Sequence, residues 1–227
     1  MIVSIHQPQY LPWLPYFSKI NKSDVFVFLD NVQFQKNGLQ NRNELKNSSG
    51  RFWLTIPISV KLGDRIRNVE IVNDGWSGKH VKSIRINYSK ASYYSFFEDK
   101  LMTIYDKEWT NLADLNIEII KTICQNYFEI ETKLMKQSDL ATTESGSSLI
   151  LQICQKLKAD TYVSGPSGKK YLDENEFMDH GINIDYMSND LLPVYPQLYK
   201  NAGFINNISA LDFILNVGSD WSKYHQL

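Results

Sequence analysis

The chain has 227 residues, 43% of them hydrophobic and 22% charged, and carries a net charge of −1. That length buries a real core without covalent staples, in one large domain or two small ones. The balanced charge excludes the global basic field on which nucleic-acid binding depends.

Ile2, Val3 and Ile5 form a short apolar, β-branched run that reads as a buried strand. Leu11, Trp13, Leu14, Phe17 and Ile20 follow at mixed spacings of three and four, which suits one face of a helix. A second apolar run covers 25–29 and ends on Asp30. Strand, helix and strand make the start of a βαβ unit, and ligands of open α/β sheets gather at the carboxyl ends of the strands. His6 leaves the first strand at that end and Asp30 leaves the second, so two polar clusters are expected on one rim.

Residues 30–47 are rich in amides and contain the turn signal Asn37-Gly38. The stretch reads as a loop. Its Gln33, Lys36, Gln40, Asn41, Arg42 and Asn43 offer forks of donors and acceptors suited to a sugar, a base or a phosphate; a solvated surface loop is the competing reading. Residues 51–60 have strand composition, with Pro57 expected at a bulge, edge or end. Residues 66–72 read as a further strand, and the two suggest an inserted hairpin. Residues 75–89 read as helical, as do 93–105 and 109–128. In the last of these, Leu112, Leu115, Ile119, Ile120 and Ile123 form a core-facing stripe.

Residues 133–138 read as a short strand. Ser145 is placed to start a helix over 149–157. Residues 161–163 form a strand that runs into Ser164-Gly165-Pro166-Ser167-Gly168-Lys169-Lys170-Tyr171. A strand over 182–187 and a last helix over 210–216 complete the pattern. Alternating strands and helices predict a Rossmann-like α/β fold with a mainly parallel sheet flanked by helices. The expectation is one domain over 1–227, with a β-hairpin and helical insertion around 50–130. No run is long enough to span a bilayer and no basic, then apolar, leader opens the chain, so a cytoplasmic and not a transmembrane protein is expected.

Three constellations carry chemistry. His6, with Gln7 and Tyr10 beside it, supplies a phosphate donor or a general base. Asp30 and the amide loop follow it, with Arg42 as the natural clamp for phosphate or carboxylate. In the third, Ser164, Gly165, Ser167, Gly168, Lys169 and Lys170 bring hydroxyls, charge and backbone freedom together, as a phosphate cradle does. The P-loop spacing is absent, and a glycine-rich turn with solvated lysines is the plainer reading. His80, near Trp76, is a weaker candidate for ligand contact. His6, His80, His180 and His225 lack metal-ligand spacing, so no intrinsic metal site is expected. Cys124 and Cys154 sit in apolar helical patterns and read as small buried hydrophobes.

The motifs H-Q-P-x-Y-x-P-W (His6 to Trp13), Y-F-x-K-I (Tyr16 to Ile20), D-N-V-Q-F-x-K (Asp30 to Lys36), Q-N-R-N (Gln40 to Asn43), W-L-T-I-P-I (Trp53 to Ile58) and S-G-P-S-G-K-K-Y-L-D (Ser164 to Asp173) resemble the WbqC-like family over almost the whole chain. Pro15 stands where that family usually has Gly, and Ser92 where it often has Pro. The resemblance implies a bacterial protein of surface-polysaccharide gene clusters, such as those for O-antigen and lipopolysaccharide. The implied role is amide formation on a nucleotide-linked amino sugar, by N-acyl or aminoacyl transfer or by an amide ligase. His6 and Asp30 are then the catalytic candidates, and a nucleotide-sugar is the partner. ATP with magnesium and an acyl thioester are the two donors that fit, and a homo-oligomer is compatible. A glycosyltransferase using the same nucleotide-sugar, or a non-catalytic binding module, is the alternative. The layout is also similar to nucleotidylyltransferase-like Rossmann enzymes, although His6-Gln7-Pro8-Gln9 lacks the second His and the Gly of their motif.

Overall fold

The computed structural model of the chain describes residues 1–188, 193–219 and 221; His225 lies outside them. The N-terminal run is β1 (Ile2–His6), followed by α1 (Leu14–Asn21) and β2 (Val25–Phe28). Leu11 and Trp13 precede the helix instead of joining it. Leu11 stands before Pro12 with φ 44°, off the helical path. Pro15 falls in the first turn, where its missing N–H costs nothing.

The chain then leaves the sheet. The amide stretch is only partly a loop, because it contains β3 (Arg42–Asn47), paired antiparallel with β4 (Gly50–Thr55). Its alternation was masked by polarity: Asn43 and Leu45 point inward, and one of them is an amide. After Pro57, β5 (Ile58–Ser59) pairs with β6 (Glu70–Ile71). The expected strand over 66–72 is therefore mostly a 3₁₀ turn, Ile66–Asn68, ahead of a two-residue strand. Buried Ile66 and Val69 are three apart, the repeat of that tighter helix.

Next come α2 (Trp76–Tyr88), α3 (Tyr94–Phe96), α4 (Met102–Tyr105) and α5 (Leu112–Asn126). The helix read over 93–105 is broken by a wide π-type turn, Phe97–Leu101, which resets the helical face. Phe97, Leu101, Ile104 and Tyr105 consequently all reach the core. Asn111 caps α5, its side chain accepting from the Asp114 N–H at 3.1 Å. The chain returns through β7 (Lys133–Lys136), α6 (Gly146–Lys156), β8 (Thr161–Ser164), α7 (Glu174–Asp179), β9 (Asn183–Tyr186) and α8 (Ala210–Val217).

β7, β2, β1, β8 and β9 form one sheet in that order, and every pairing is parallel. Side chains alternate across it. Val3, Ile5, Val25 and Val27 pack with α6 and with Phe177 of α7 on one face. Phe26 and Phe28 pack with α1, α5 and α8 on the other. Helices thus cover both faces, as a Rossmann-like α/β fold requires. Strand order reverses between β1 and β8, which makes a crevice at their carboxyl ends.

A buried polar network ties α8 to β3. Asp212 accepts from Tyr88 Oη at 2.6 Å, Tyr195 Oη at 2.9 Å and Gln197 Nε2 at 2.8 Å. Lys46 Nζ in turn donates to Gly203 O at 2.6 Å and to Gln197 Oε1. A buried carboxylate needs such partners to offset its lost hydration. Among the described residues, no helix is long and apolar enough to cross a membrane.

Candidate functional site

A cleft of about 390 Å3 lies where β1 and β8 part. His6 at the end of β1, Tyr16 and Lys19 of α1, and Gly165, Ser167 and Lys170 of the loop after β8 line it. Two motifs separated by nearly 160 residues meet here because β1 and β8 are neighbours. Ser4↔Val163 is the last register pair, and the chains diverge beyond it.

The His6 ring meets Tyr16 edge-on with centroids 5.0 Å apart. Its Nδ1 lies 3.1 Å from Gln7 O. A carbonyl only accepts, so Nδ1 carries the proton and Nε2 keeps its lone pair. Burial, then the charge of Lys19, lowers the His6 pKa to about 4, against the hydrogen bond to Gln7. The imidazole is therefore neutral at physiological pH. The Gln7 carbonyl also accepts from Tyr16 Oη at 3.0 Å, which fixes the loop.

Lys19 is the lysine of the Y-F-x-K-I motif, and its sequence context gives it no site role. It is 5% exposed, donates to Ile5 O at 2.8 Å, and has its pKa lowered to about 7 by desolvation. The side of β1 that faces α1 carries Ser4, small enough to let the helix approach; Ser4 Oγ bonds Lys19 O at 3.2 Å and Ser23 Oγ at 2.6 Å. The signals in the sequence that point to Lys19 are its place as the lysine of Y-F-x-K-I and a lysine's presence inside an apolar helical pattern, next to Ile20.

The loop after β8 makes one 3₁₀ turn, Pro166–Lys170. Buried Ser164 donates to Gly165 O at 3.1 Å, and Gly168 folds back on it. A Cβ on Gly168 would overlap Ser164 Oγ and meet Leu172 Cδ1 at 2.9 Å. Gly168→Ala is accordingly expected to cost about 1–3 kcal/mol and to loosen the turn. Urea denaturation checks this; an unchanged midpoint would mean that the turn relaxes freely. Lys169 turns away from the cleft, its Nζ 5.1 Å from the Tyr186 ring centre.

The other expected residues are placed elsewhere. Asp30 is buried, and its two oxygens accept from Ser138 N at 3.0 Å and Ser138 Oγ at 2.6 Å. It anchors the turn after β7 and does not line the cleft. Tyr10 is in the core, its Oη 2.8 Å from His80 Nδ1 and 2.6 Å from Tyr105 Oη. His80 is also buried, with its other nitrogen 3.2 Å from Thr55 O and its pKa lowered to about 4, chiefly by desolvation. Asn43 donates to Leu11 O at 2.7 Å and so braces the β1–α1 loop. Gln40 Nε2 donates to Gln7 Oε1 at 2.6 Å, joining the amide stretch to the His6 loop. Gln33, Lys36, Asn41 and Arg42 line a second cleft, described below. Among the described residues, no group of three or more His, Cys, Asp or Glu is placed to hold a metal ion.

The WbqC-like protein family model matches residues 7–224. An uncharacterized protein of Mycobacterium tuberculosis, Rv1507c, is 34% identical over 225 residues, covering 98% of this chain and 96% of the relative. No solved structure matches.

Proposed function

This chain belongs to the WbqC-like family, and on that premise we propose that it is a transferase or ligase that forms an amide on a nucleotide-linked amino sugar, in the synthesis of bacterial surface polysaccharide such as O-antigen. The observation that carries this reading is the meeting of His6, Lys19, Ser167 and Lys170 in one cleft at the point where strand order reverses. Such crevices take nucleotides, with phosphates at the strand ends. Lys170 and the Ser167 hydroxyl supply charge and donors for them.

Amide formation needs a neutral amine. As its nitrogen bonds the acyl carbon, a proton must leave and the bond from that carbon to its leaving group must break. His6 Nε2 is the ring's acceptor for that chemistry, but its pKa of about 4 makes it a weak final base. Lys19, at about 7, is better matched. In this scheme His6 orients the amine through a hydrogen bond and Lys19 receives the proton. The rate then rises with pH through about 7, as Lys19 loses its own proton.

The test is a thermal-shift screen of the protein with thymidine- or uridine-linked 4-amino sugars, followed by mass spectrometry with an acyl thioester or with ATP and a carboxylic acid. The expected result is a raised melting temperature that Lys170→Gln and Ser167→Ala diminish, and an acylated sugar nucleotide as product. Release of free nucleoside diphosphate with sugar transfer would replace this reading with a glycosyltransferase. Binding without turnover under either donor would leave a binding module.

A further inference from the structure

The insertion builds a second cleft of about 520 Å3, and none of its lining residues is shared with the cleft at β1 and β8. It lies between the chain leaving β2, the β3–β4 hairpin and the segment after β5. Gln33 forms an isolated bridge with Arg65, and Phe34 N bonds Asp64 O at 2.8 Å, so its two walls are held together. Three cations line it, Lys36, Arg42 and Lys61, and no acidic residue does. None of the three forms an ion pair among the described residues.

Arg42 is held ready rather than left free. Its guanidinium stacks on Trp53 at 4.6 Å and its Nη2 donates to Asn37 O at 2.9 Å. That one bond leaves donor capacity in a planar fork suited to an oxyanion. Opposite lies an apolar wall that includes Val60 and Leu62, the latter fully exposed. Convergent uncompensated cations repel one another and attract an anion. An exposed apolar wall beside them is paid for when a ligand covers it.

We propose that this second cleft binds an oxyanion, phosphate or carboxylate, carried on an apolar body, with Arg42 as its principal contact. Its assignment to the acyl donor of the amide-forming reaction rests on the function proposed above; the anion site itself does not. The two clefts would then each take one substrate.

Isothermal titration of the whole protein tests this with two probes, coenzyme A for a phosphate source and butyrate for a carboxylate. One or both are expected to bind the wild type. Arg42→Gln is expected to weaken that binding at least tenfold, and Lys61→Gln to weaken it less. Butyrate, which carries no nucleotide, should bind Lys170→Gln as it binds the wild type, which separates this site from the nucleotide cleft; coenzyme A is assigned to this site only by its loss in Arg42→Gln. Binding by coenzyme A alone identifies phosphate as the group read, and binding by butyrate alone identifies carboxylate. No binding of either probe to wild type, or full affinity in a folded Arg42→Gln variant, overturns the proposal. Anion binding through Arg42 in a protein that binds no nucleotide-sugar would keep this site and remove the function proposed above.

Discussion

Lys19→Met is expected to make the protein more stable and much less active. Desolvation lowers the Lys19 pKa from 10.5 to about 7. Between those values the unfolded chain binds more protons than the folded one, so stability rises with pH across that window. Below pH 7 the full cost of burying the amine is present, about 5 kcal/mol at 1.36 kcal/mol per unit. Methionine of similar length removes that cost, but the bond to Ile5 O goes with it. The net gain is expected to be about 1–4 kcal/mol, as found when buried ionic groups are replaced by apolar ones. Urea denaturation at pH 6 and pH 9 checks it: wild type gains stability over that interval and the variant changes far less.

The same substitution removes one of the causes that hold the His6 pKa near 4. An NMR titration of His6 in the variant is expected to move up by the smaller share that the Lys19 charge contributes, while burial still holds it below the ordinary value. If the variant instead melts earlier at both pH values, Lys19 is there for packing and the cost argument fails. A site that retains such a residue gives up stability for chemistry, the usual trade at functional positions.

His6→Ala is expected to lower turnover by about 10²-fold, the cost of losing the group that orients the amine, while leaving nucleotide-sugar binding within a few-fold of wild type. The reasoning is geometric. The ring lines the cleft, its Nδ1 is committed to Gln7 O, and Nε2 is the remaining acceptor. His6→Asn is the companion variant, because its amide can keep the bond to Gln7 O without supplying the ring nitrogen that orients the amine. Steady-state kinetics on product formation, with affinity measured separately, distinguish the cases. Full turnover in a folded His6→Ala that still binds ligand would remove His6 from the reaction. Loss of binding with normal turnover at saturation would make it a contact residue only.

Much of the framework was legible from local pattern. Apolar runs marked β1 and β2, and three-and-four spacing marked α5. His6 and the Ser164–Lys170 loop were recognisable as strand exits, and strand exits are where ligands sit in this fold class. These signals are local: they depend on side-chain periodicity and on proline and glycine within a few residues. The strand β3 escaped because Asn43 and Lys46, both buried, look like solvent-facing residues in a sequence.

What only tertiary structure decided is the partner of each polar group. Asp30 and His80 have the composition of site residues, yet Ser138 takes one and Tyr10 and Thr55 take the other. Lys19 has the composition of a surface residue, yet it becomes a nearly dry amine in the cleft. The physical reason is that burial and hydrogen bonding depend on segments far apart in the chain, such as Lys46 with Gly203 or Asn116 with Gln40. Sequence by itself determined which elements form and which ends of them carry polar chemistry. Packing at long range decided which of those groups remain available to a ligand.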